Sequence, residues 1–134
     1  MEALVWVDAY QVQSFGGEPF AVGQDVTWPI SGQLNRTALT EIVGAETAAE
    51  LSMAVDWHAG RAEDTVDHIG LVTRIEVYRC RHVHGHVVAG TVETYPVVEA
   101  DGWESEEDGA HFVGYLATLT SIRRAVERPT DRRR

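Results

Sequence analysis

The stretch VDHIGLVTRIEVYRC, residues 66–80, has the clearest strand pattern in the chain. Its apolar side chains recur at every second position, which is the period of a β-strand. The segment 86–98 follows as the expected partner strand, and Pro96 near its end indicates an edge strand or a bulge. The alternation predicts one face that carries Ile69, Leu71, Thr73, Ile75, Val77 and Arg79.

Four other segments show the same two-residue period and are predicted to be strands. The first of them is apolar on both faces near its start, which is typical of a buried strand. The second contains Gly23-Gln24-Asp25, which indicates a bend or a bulge. The four segments are 4–13, 20–28, 51–57 and 111–120.

A short helix is predicted between residues 35 and 43. Asn35 is a favourable N-cap residue, and Gly44 is typical of the position that ends a helix. Thr47 and Glu50 have the spacing of a capping box, which allows a second helical turn near 45–50.

These elements predict a mainly β fold, either a small barrel or a strongly curved antiparallel sheet of about six strands with one or two short helices. The chain of 134 residues is long enough for one domain with its own apolar core. We expect this β-rich domain to span residues 1–122. The Arg-rich segment 123–134 is predicted to be a frayed C-terminal tail.

The composition indicates a cytoplasmic protein. Cys80 is the only cysteine, so the chain has no internal disulfide. The apolar runs are only a few residues long, which is too short to span a membrane. The first ten residues contain Glu2 and Asp8 and lack the basic start of a signal peptide.

The charge is distributed unevenly along an acidic chain of net charge −10. Residues 1–122 hold 19 acids and 5 Arg, whereas residues 123–134 hold 6 Arg and 2 acids. An acidic body repels phosphate backbones, so we expect no nucleic-acid binding. All eleven basic residues are Arg, which is typical of a GC-rich genome.

The stretch CRHVHGHVV, residues 80–88, is rich in metal-binding side chains and has two interpretations. In a straight strand its cysteine and histidines would share one face and resemble a zinc site. The pair His84-Gly85, however, is typical of a tight hairpin turn, in which that parity is lost. We therefore expect a hairpin tip with exposed histidines and keep zinc as the alternative. The ligands of the alternative zinc site would be Cys80, His82 and His86.

A second group of carboxylates and imidazoles flanks a polar loop at 58–67. Such pairs act as general bases or as metal ligands in some enzymes. The chain contains no motif of a known hydrolase or phosphate-binding loop, so polar residues at strand ends explain this group equally well. The candidate binding residues in this group are Asp56, Trp57, His58 and His68.

Residues 99–108 form an acidic loop with Trp103 at its centre. The order of the acids does not match a calcium-binding EF-hand, so a solvated loop is expected. Trp103 either folds back on the domain or is presented to a basic partner, and we expect it to fold back because an exposed indole is unfavourable in water. It is the fifth candidate binding residue.

Cys80 has basic neighbours in Arg79 and Arg81, which would lower the pKa of a thiol and make it reactive. A single cysteine within a strand is more often an inert packing residue. We favour this second interpretation.

Three stretches carry a resemblance to a known group of proteins, namely VWVDAYQVQSFGGEPFAVGQDVTW (5–28), VDWHAG (55–60) and GLVTRIEVYRC (70–80). They resemble a family of small uncharacterised actinobacterial proteins, a domain of unknown function. Members of that family carry Cys-Cys-Gly where this chain has Ser14-Phe15-Gly16. The resemblance implies a bacterial cytoplasmic protein and assigns no activity.

Since no catalytic signature is present, the sequence predicts a non-enzymatic binding or regulatory module that acts through the mouth of the barrel or a sheet edge. Its partner would be an unidentified protein or small molecule, with no role for membranes or nucleic acid. Zinc binding is the alternative function, and no other cofactor is expected. A homodimer that pairs through an exposed edge strand, 86–98 or 111–120, is a third hypothesis.

Overall fold

Five strands close into a barrel in the computed structural model of the protein. The strands are β1 (Glu2–Asp8), β3 (Asp25–Ser31), β4 (Met53–Val55), β5 (Val66–Cys80) and β10 (His111–Arg124). They follow the order β10-β1-β4-β3-β5, and the pairing of β5 with β10 closes the ring. The structure describes residues 2–14, 17–57, 65–106 and 109–125.

In the part of the chain that the structure describes, five shorter strands and three helices are attached to this barrel. The strand β8 (Glu93–Val97) pairs with β5 and makes the sixth strand of the main sheet. Two small ribbons consist of β2 (Phe20–Ala21) with β9 (Glu99–Ala100), and of β6 (His82–Val83) with β7 (His86–Val87). The helices are α1 (Ala9–Ser14), α2 (Arg36–Val43) and α3 (Ala45–Glu50).

The predicted mainly β fold with a small barrel is confirmed. The described residues contain three short helices where one or two were predicted. The pairs in the main sheet are antiparallel except for β1 with β4, in which Val5 lies opposite Met53 in a parallel register. The predicted strand at 66–80 is confirmed from its first to its last residue as β5.

A β-bulge at Thr73 divides the long strand β5 into two halves of opposite parity. Thr118 of β10 pairs with Arg74, whereas the next residue, Leu119, pairs with Val72, so Thr73 is extra. As a result Val72 and Ile75 both point into the barrel and are fully buried. The predicted single face with Ile69, Leu71, Thr73, Ile75, Val77 and Arg79 is therefore wrong.

The first strand is shorter than its alternating sequence predicts. The segment 4–13 was expected to be one strand, but β1 ends at Asp8 and α1 begins at Ala9. The Asp8 carboxylate accepts a hydrogen bond from the Tyr10 backbone N–H at 3.1 Å, which is the arrangement of an N-cap. Ala9 and Val12, three residues apart, then share the buried face of α1.

The predicted helix after Asn35 is confirmed as α2. The Asn35 side chain accepts a hydrogen bond from the Ala38 N–H at 3.1 Å, and Gly44 ends the helix with a φ of 90°. The second helical turn is confirmed as α3, but the proposed capping box is wrong. Gly44 is the N-cap of α3, so Thr47 lies inside this helix.

Two apolar clusters lie on opposite sides of the barrel wall. The first fills the interior and includes Val5, Val7 and Tyr115, each fully buried. The second lies outside the wall, where Trp6 and Leu116 pack against Leu39 of α2. The first cluster therefore fills the barrel interior with side chains, while the second lies between the wall and α2.

The strand β10 pairs along both of its sides, with β1 and with β5. The expectation that 111–120 is an exposed edge is therefore wrong. β10 also continues past the predicted domain boundary at residue 122, since Arg123 pairs with Ile69 and Arg124 with His68. None of the helices in the described segments has the length and apolar character needed to cross a bilayer.

Candidate ligand-binding site

A cavity of about 600 Å³ lies on the outer face of the barrel wall. One side is the wall itself, formed by the end of β1, by β4 and by the start of β10. The other sides are α1, the segment that leads into α2, α2 itself and His82 of the β6–β7 ribbon. Two helices that emerge from the barrel thus leave a space between them and the sheet.

The floor of the cavity is apolar and partly aromatic. Trp6 and Phe112 line it from the sheet, and Leu39 and Ile42 line it from α2. Trp6 is only 5% exposed, and its ring packs edge to face on Tyr78 with centroids 5.9 Å apart. This packing fixes the indole before any ligand arrives.

Asp8 lines the cavity next to this floor. It follows Trp6 by two residues in β1, so the two side chains share the outer face of that strand. It is half-buried, and its Oδ1 accepts the Tyr10 N–H. Burial raises the pKa of the Asp8 carboxyl, and the Tyr10 hydrogen bond opposes this rise in part. Within the described residues no basic side chain pairs with Asp8.

Gln11 of α1 fastens the helix to the end of β4. Its Nε2 donates to Asp56 Oδ1 at 3.1 Å, and its Oε1 accepts the Trp57 N–H at 2.7 Å. Gln13 makes a second connection, from its Nε2 to the carbonyl oxygen of Gly102 at 2.8 Å. These hydrogen bonds hold the polar side of the cavity in place, because α1 cannot move away from the end of β4 or from Gly102 without breaking them.

The described members of the predicted binding group near the 58–67 loop line different parts of the molecule. Asp56 lines the large cavity, whereas Trp57 packs beside Trp28 in the interior cluster and lines a smaller cavity of about 270 Å³. His68 lies in β5 and does not line the large cavity, and its Nδ1 is 2.9 Å from the Val66 carbonyl oxygen. His58 lies outside the described residues.

Trp103 is 68% exposed, so the expectation that it folds back on the domain is wrong. The loop around it is fixed by Tyr115, whose hydroxyl accepts the Gly102 N–H and donates to Glu104 Oε2, both at 2.8 Å. The backbone N–H of Trp103 donates a hydrogen bond to Asp101 Oδ1 at 2.8 Å. The backbone on both sides is therefore held while the indole itself remains in solvent, away from the cavity.

The expected hairpin at His84-Gly85 is confirmed. Both residues have positive φ, 53° and 81°, which is typical of a two-residue type I′ turn. Across the ribbon His82 pairs with Val87, and Val83 pairs with His86. The side chains of directly paired residues share a face, so His82 and His86 leave the ribbon on opposite faces.

The proposed zinc ligands are only loosely grouped. The Cys80 Sγ lies 3.9 Å from His82 Nδ1, while His86 Nδ1 lies 3.6 Å from Glu41 of α2. Among the described residues no three His, Cys, Asp or Glu side chains are close enough to share a metal ion. Cys80 is buried, and this burial, with Glu41 as a smaller contribution, raises the pKa of its thiol.

Sequence reasoning missed Asp8 as a site residue. The signal was present, since Asp8 interrupts the apolar face of Leu4, Trp6, Tyr10 and Val12. A charged residue on a buried face is either paired or functional. The alternating sequence predicts that Asp8 lies within a continuous strand. The cavity beside Asp8 exists only because α1 begins at Ala9.

The protein is a small β-barrel domain with a lateral cavity that has an apolar floor and a polar edge. The chain belongs to the Family of unknown function (DUF6578), which matches residues 1–121. The resemblance to a family of unknown function is thereby confirmed. No significant similarity was found to a curated protein or to a solved structure.

Proposed function

We propose that this protein is a non-enzymatic binding module that takes up a small molecule in the lateral cavity between the barrel wall, α1 and α2. The observation that carries the proposal is the combination of a fixed apolar floor with a polar edge around Asp8. Binding sites for small molecules generally combine an apolar lining with a few placed polar groups.

The dimensions of the cavity support this function. Its volume of about 600 Å³ lies within the range of roughly 300–1,000 Å³ that is usual for ligand pockets. The hydrogen bonds of Gln11 and Gln13 brace α1 on one side, and the Asn35 cap holds the start of α2 on the other. A cavity held open in advance costs less ordering energy when a ligand binds.

Binding rather than catalysis is supported by the chain's lack of catalytic motifs. Asp8 is a half-buried carboxylate on the cavity, and burial raises its pKa. A single carboxylate of this kind is suited to holding a polar group of a ligand.

The cavity can be tested with N-phenyl-1-naphthylamine, an uncharged apolar fluorophore whose emission rises in apolar surroundings. Ala38 of α2 lines the cavity, so Ala38→Trp would fill part of it. Ala49 of α3 is exposed and does not line the cavity, which makes Ala49→Trp the matched control. We expect fluorescence enhancement with the wild type and with Ala49→Trp, and its loss with Ala38→Trp.

Enhancement that survives Ala38→Trp would refute the proposal, as would a wild-type protein that gives none. Circular dichroism of both variants has to match the wild type. If Ala38→Trp does not fold, Ala54→Leu on the β4 wall of the same cavity replaces it.

Zinc binding by Cys80, His82 and His86 remains the alternative, supported by the 3.9 Å contact between Cys80 Sγ and His82 Nδ1. Elemental analysis of protein purified without a His-tag tests it. A stoichiometric metal that disappears in His82→Ala/His86→Ala would favour zinc. Metal content that is substoichiometric and unaffected by the double substitution would end this alternative.

An actinobacterial source, a cytoplasmic location and the lack of nucleic-acid partners stay predictions. The lysine-free composition supports the first, and the acidic body supports the last.

A further inference from the structure

We propose that the lateral cavity selects a protonated amine carried on an aromatic or branched apolar body. This inference rests on the proposed function and names the chemical class of its ligand.

The charges around the cavity have one sign. Asp8 and Asp56 both line it, and of the described basic side chains only the imidazole of His82 does so. Asp56 accepts a hydrogen bond from the Gln11 side chain, and Asp8 accepts one from the Tyr10 backbone N–H, both from α1. An ammonium group could therefore pair with Asp8 without displacing a cation of the protein, and charge-assisted hydrogen bonds of this kind are the strong ones.

The apolar floor adds to this preference. Trp6 and Phe112 line the same cavity as Asp8, and a cation near an aromatic ring is attracted by the ring quadrupole. The same rings, with Leu39 and Ile42, bury the apolar body of the ligand.

An anionic ligand meets the opposite conditions. Its carboxylate or phosphate would lie beside two carboxylates, in a protein with a net charge of −10. Repulsion from Asp8 would be strong because the half-buried side chain is less screened by solvent than an exposed one.

Three ligands that share an indole body and differ in their end group test the inference. They are tryptamine, which is protonated at neutral pH, its uncharged alcohol analogue tryptophol, and the carboxylate indole-3-propionate. Isothermal titration calorimetry at low ionic strength compares their affinities. We expect tryptamine to bind about tenfold or more tightly than tryptophol, and indole-3-propionate to bind most weakly.

The variant Asp8→Asn assigns the preference to one residue. Asparagine is as good an N-cap as aspartate, so the start of α1 is retained. We expect tryptophol to bind as in the wild type, while the advantage of tryptamine falls to less than about threefold. The control is Asp25→Asn, since Asp25 is an exposed carboxylate on β3 that does not line the cavity.

The outcomes separate the two proposals. If tryptophol binds as tightly as tryptamine, or if Asp8→Asn leaves the preference intact, the inference about amines is overturned and the cavity remains a binding site. If none of the three ligands binds and N-phenyl-1-naphthylamine gives no enhancement, the proposed function itself is refuted.

Discussion

Gly114 of β10 lies beneath the Trp6 indole, at a point where the wall cannot accommodate a side chain. A Cβ atom built on Gly114 would lie 2.8 Å from Cη2 of Trp6, much closer than such atoms approach. We expect Gly114→Ala to lower the free energy of unfolding by about 1–3 kcal/mol, because Trp6 must shift within a packed cluster. Urea denaturation measures this change.

Gly32→Ala is the control for this substitution. The nearest atom to a Cβ at Gly32 is the Ser52 carbonyl oxygen at 4.0 Å, and Gly32 has no positive φ. Its effect should stay within about 0.5 kcal/mol. Equal effects of the two substitutions would contradict the close packing of Trp6.

The thiol of Cys80 is predicted to be unreactive in the folded protein. Cys80 is buried, and the raised pKa of its thiol leaves little thiolate at neutral pH. Reaction with 5,5′-dithiobis(2-nitrobenzoate) should be slow in the native state and complete within the mixing time in concentrated urea. Rapid stoichiometric modification of the native protein would instead support the reactive thiol suggested by its basic neighbours.

The sequence predicts some residues of the candidate site and misses others. Asp56 was identified because it belongs to a group of carboxylates and imidazoles in the sequence, and it does line the cavity. Asp8 was missed because its importance depends on α1 and α2, which are brought together only by the closed sheet. Trp57 looked like a binding residue but packs beside Trp28, since an aromatic residue gives the same sequence signal in a core and in a site.

The ribbon formed by β6 and β7 is attached to α2 by one carboxylate. Glu41 Oε1 accepts the Val87 N–H at 2.9 Å, and Oε2 lies 3.6 Å from His86 Nδ1. The Val87 hydrogen bond is the main cause of a lowered pKa of Glu41, and the nearby His86 and His82 contribute to it. The ionised carboxylate therefore favours the docked ribbon.

This attachment is predicted to weaken in acid. Because the pKa is lowered on folding, the contribution of Glu41 is fully present above its ordinary pKa of 4.5 and is lost as the pH falls through the lower folded value. The Val87 amide proton, followed by NMR, should titrate with a midpoint below 4.5. In Glu41→Gln this titration should be absent.

The Ala38 amide provides an internal control for the titration. It donates a hydrogen bond to the Asn35 side chain, which does not titrate in this pH range. The chemical shift of the Ala38 amide proton should therefore not follow the Val87 curve. A Val87 midpoint at or above the ordinary value for a glutamate would show that Glu41 does not hold the ribbon.

Elements with a local signal were predicted well. The strand β5, the Asn35 cap and the His84-Gly85 turn depend on residues next to one another in the chain. The bulge at Thr73 and the early end of β1 could not be predicted in this way. Thr73 becomes extra only because β10 pairs with β5 in a particular register, and that pairing joins residues about 45 positions apart.

Pro96 is predicted to protect the free edge of the main sheet against pairing with a second chain. Within the described residues β8 pairs only with β5, so it offers the proposed homodimer a free strand edge within the segment 86–98. A proline in an edge strand lacks the N–H that a second chain would need, which discourages pairing. We expect Pro96→Thr to raise the average molar mass in light scattering at micromolar concentration above that of the wild type.

Glu99→Thr is the control variant for this test. Glu99 is exposed and lies in β9, which pairs with β2 and does not belong to the main sheet. An unchanged mass for Pro96→Thr over a wide concentration range would show that β8 does not mediate association. A wild type that is already dimeric and loses this state on Thr94→Pro would favour the homodimer.

The position of the cavity outside the barrel separates recognition from stability. No residue of α2 belongs to the described interior cluster, so substitutions at Ala38 or Ile42 reshape the pocket without removing a member of that cluster. Relatives built on the same barrel are thus free to diverge in what they recognise, and differences in specificity among them should be concentrated on the two helices.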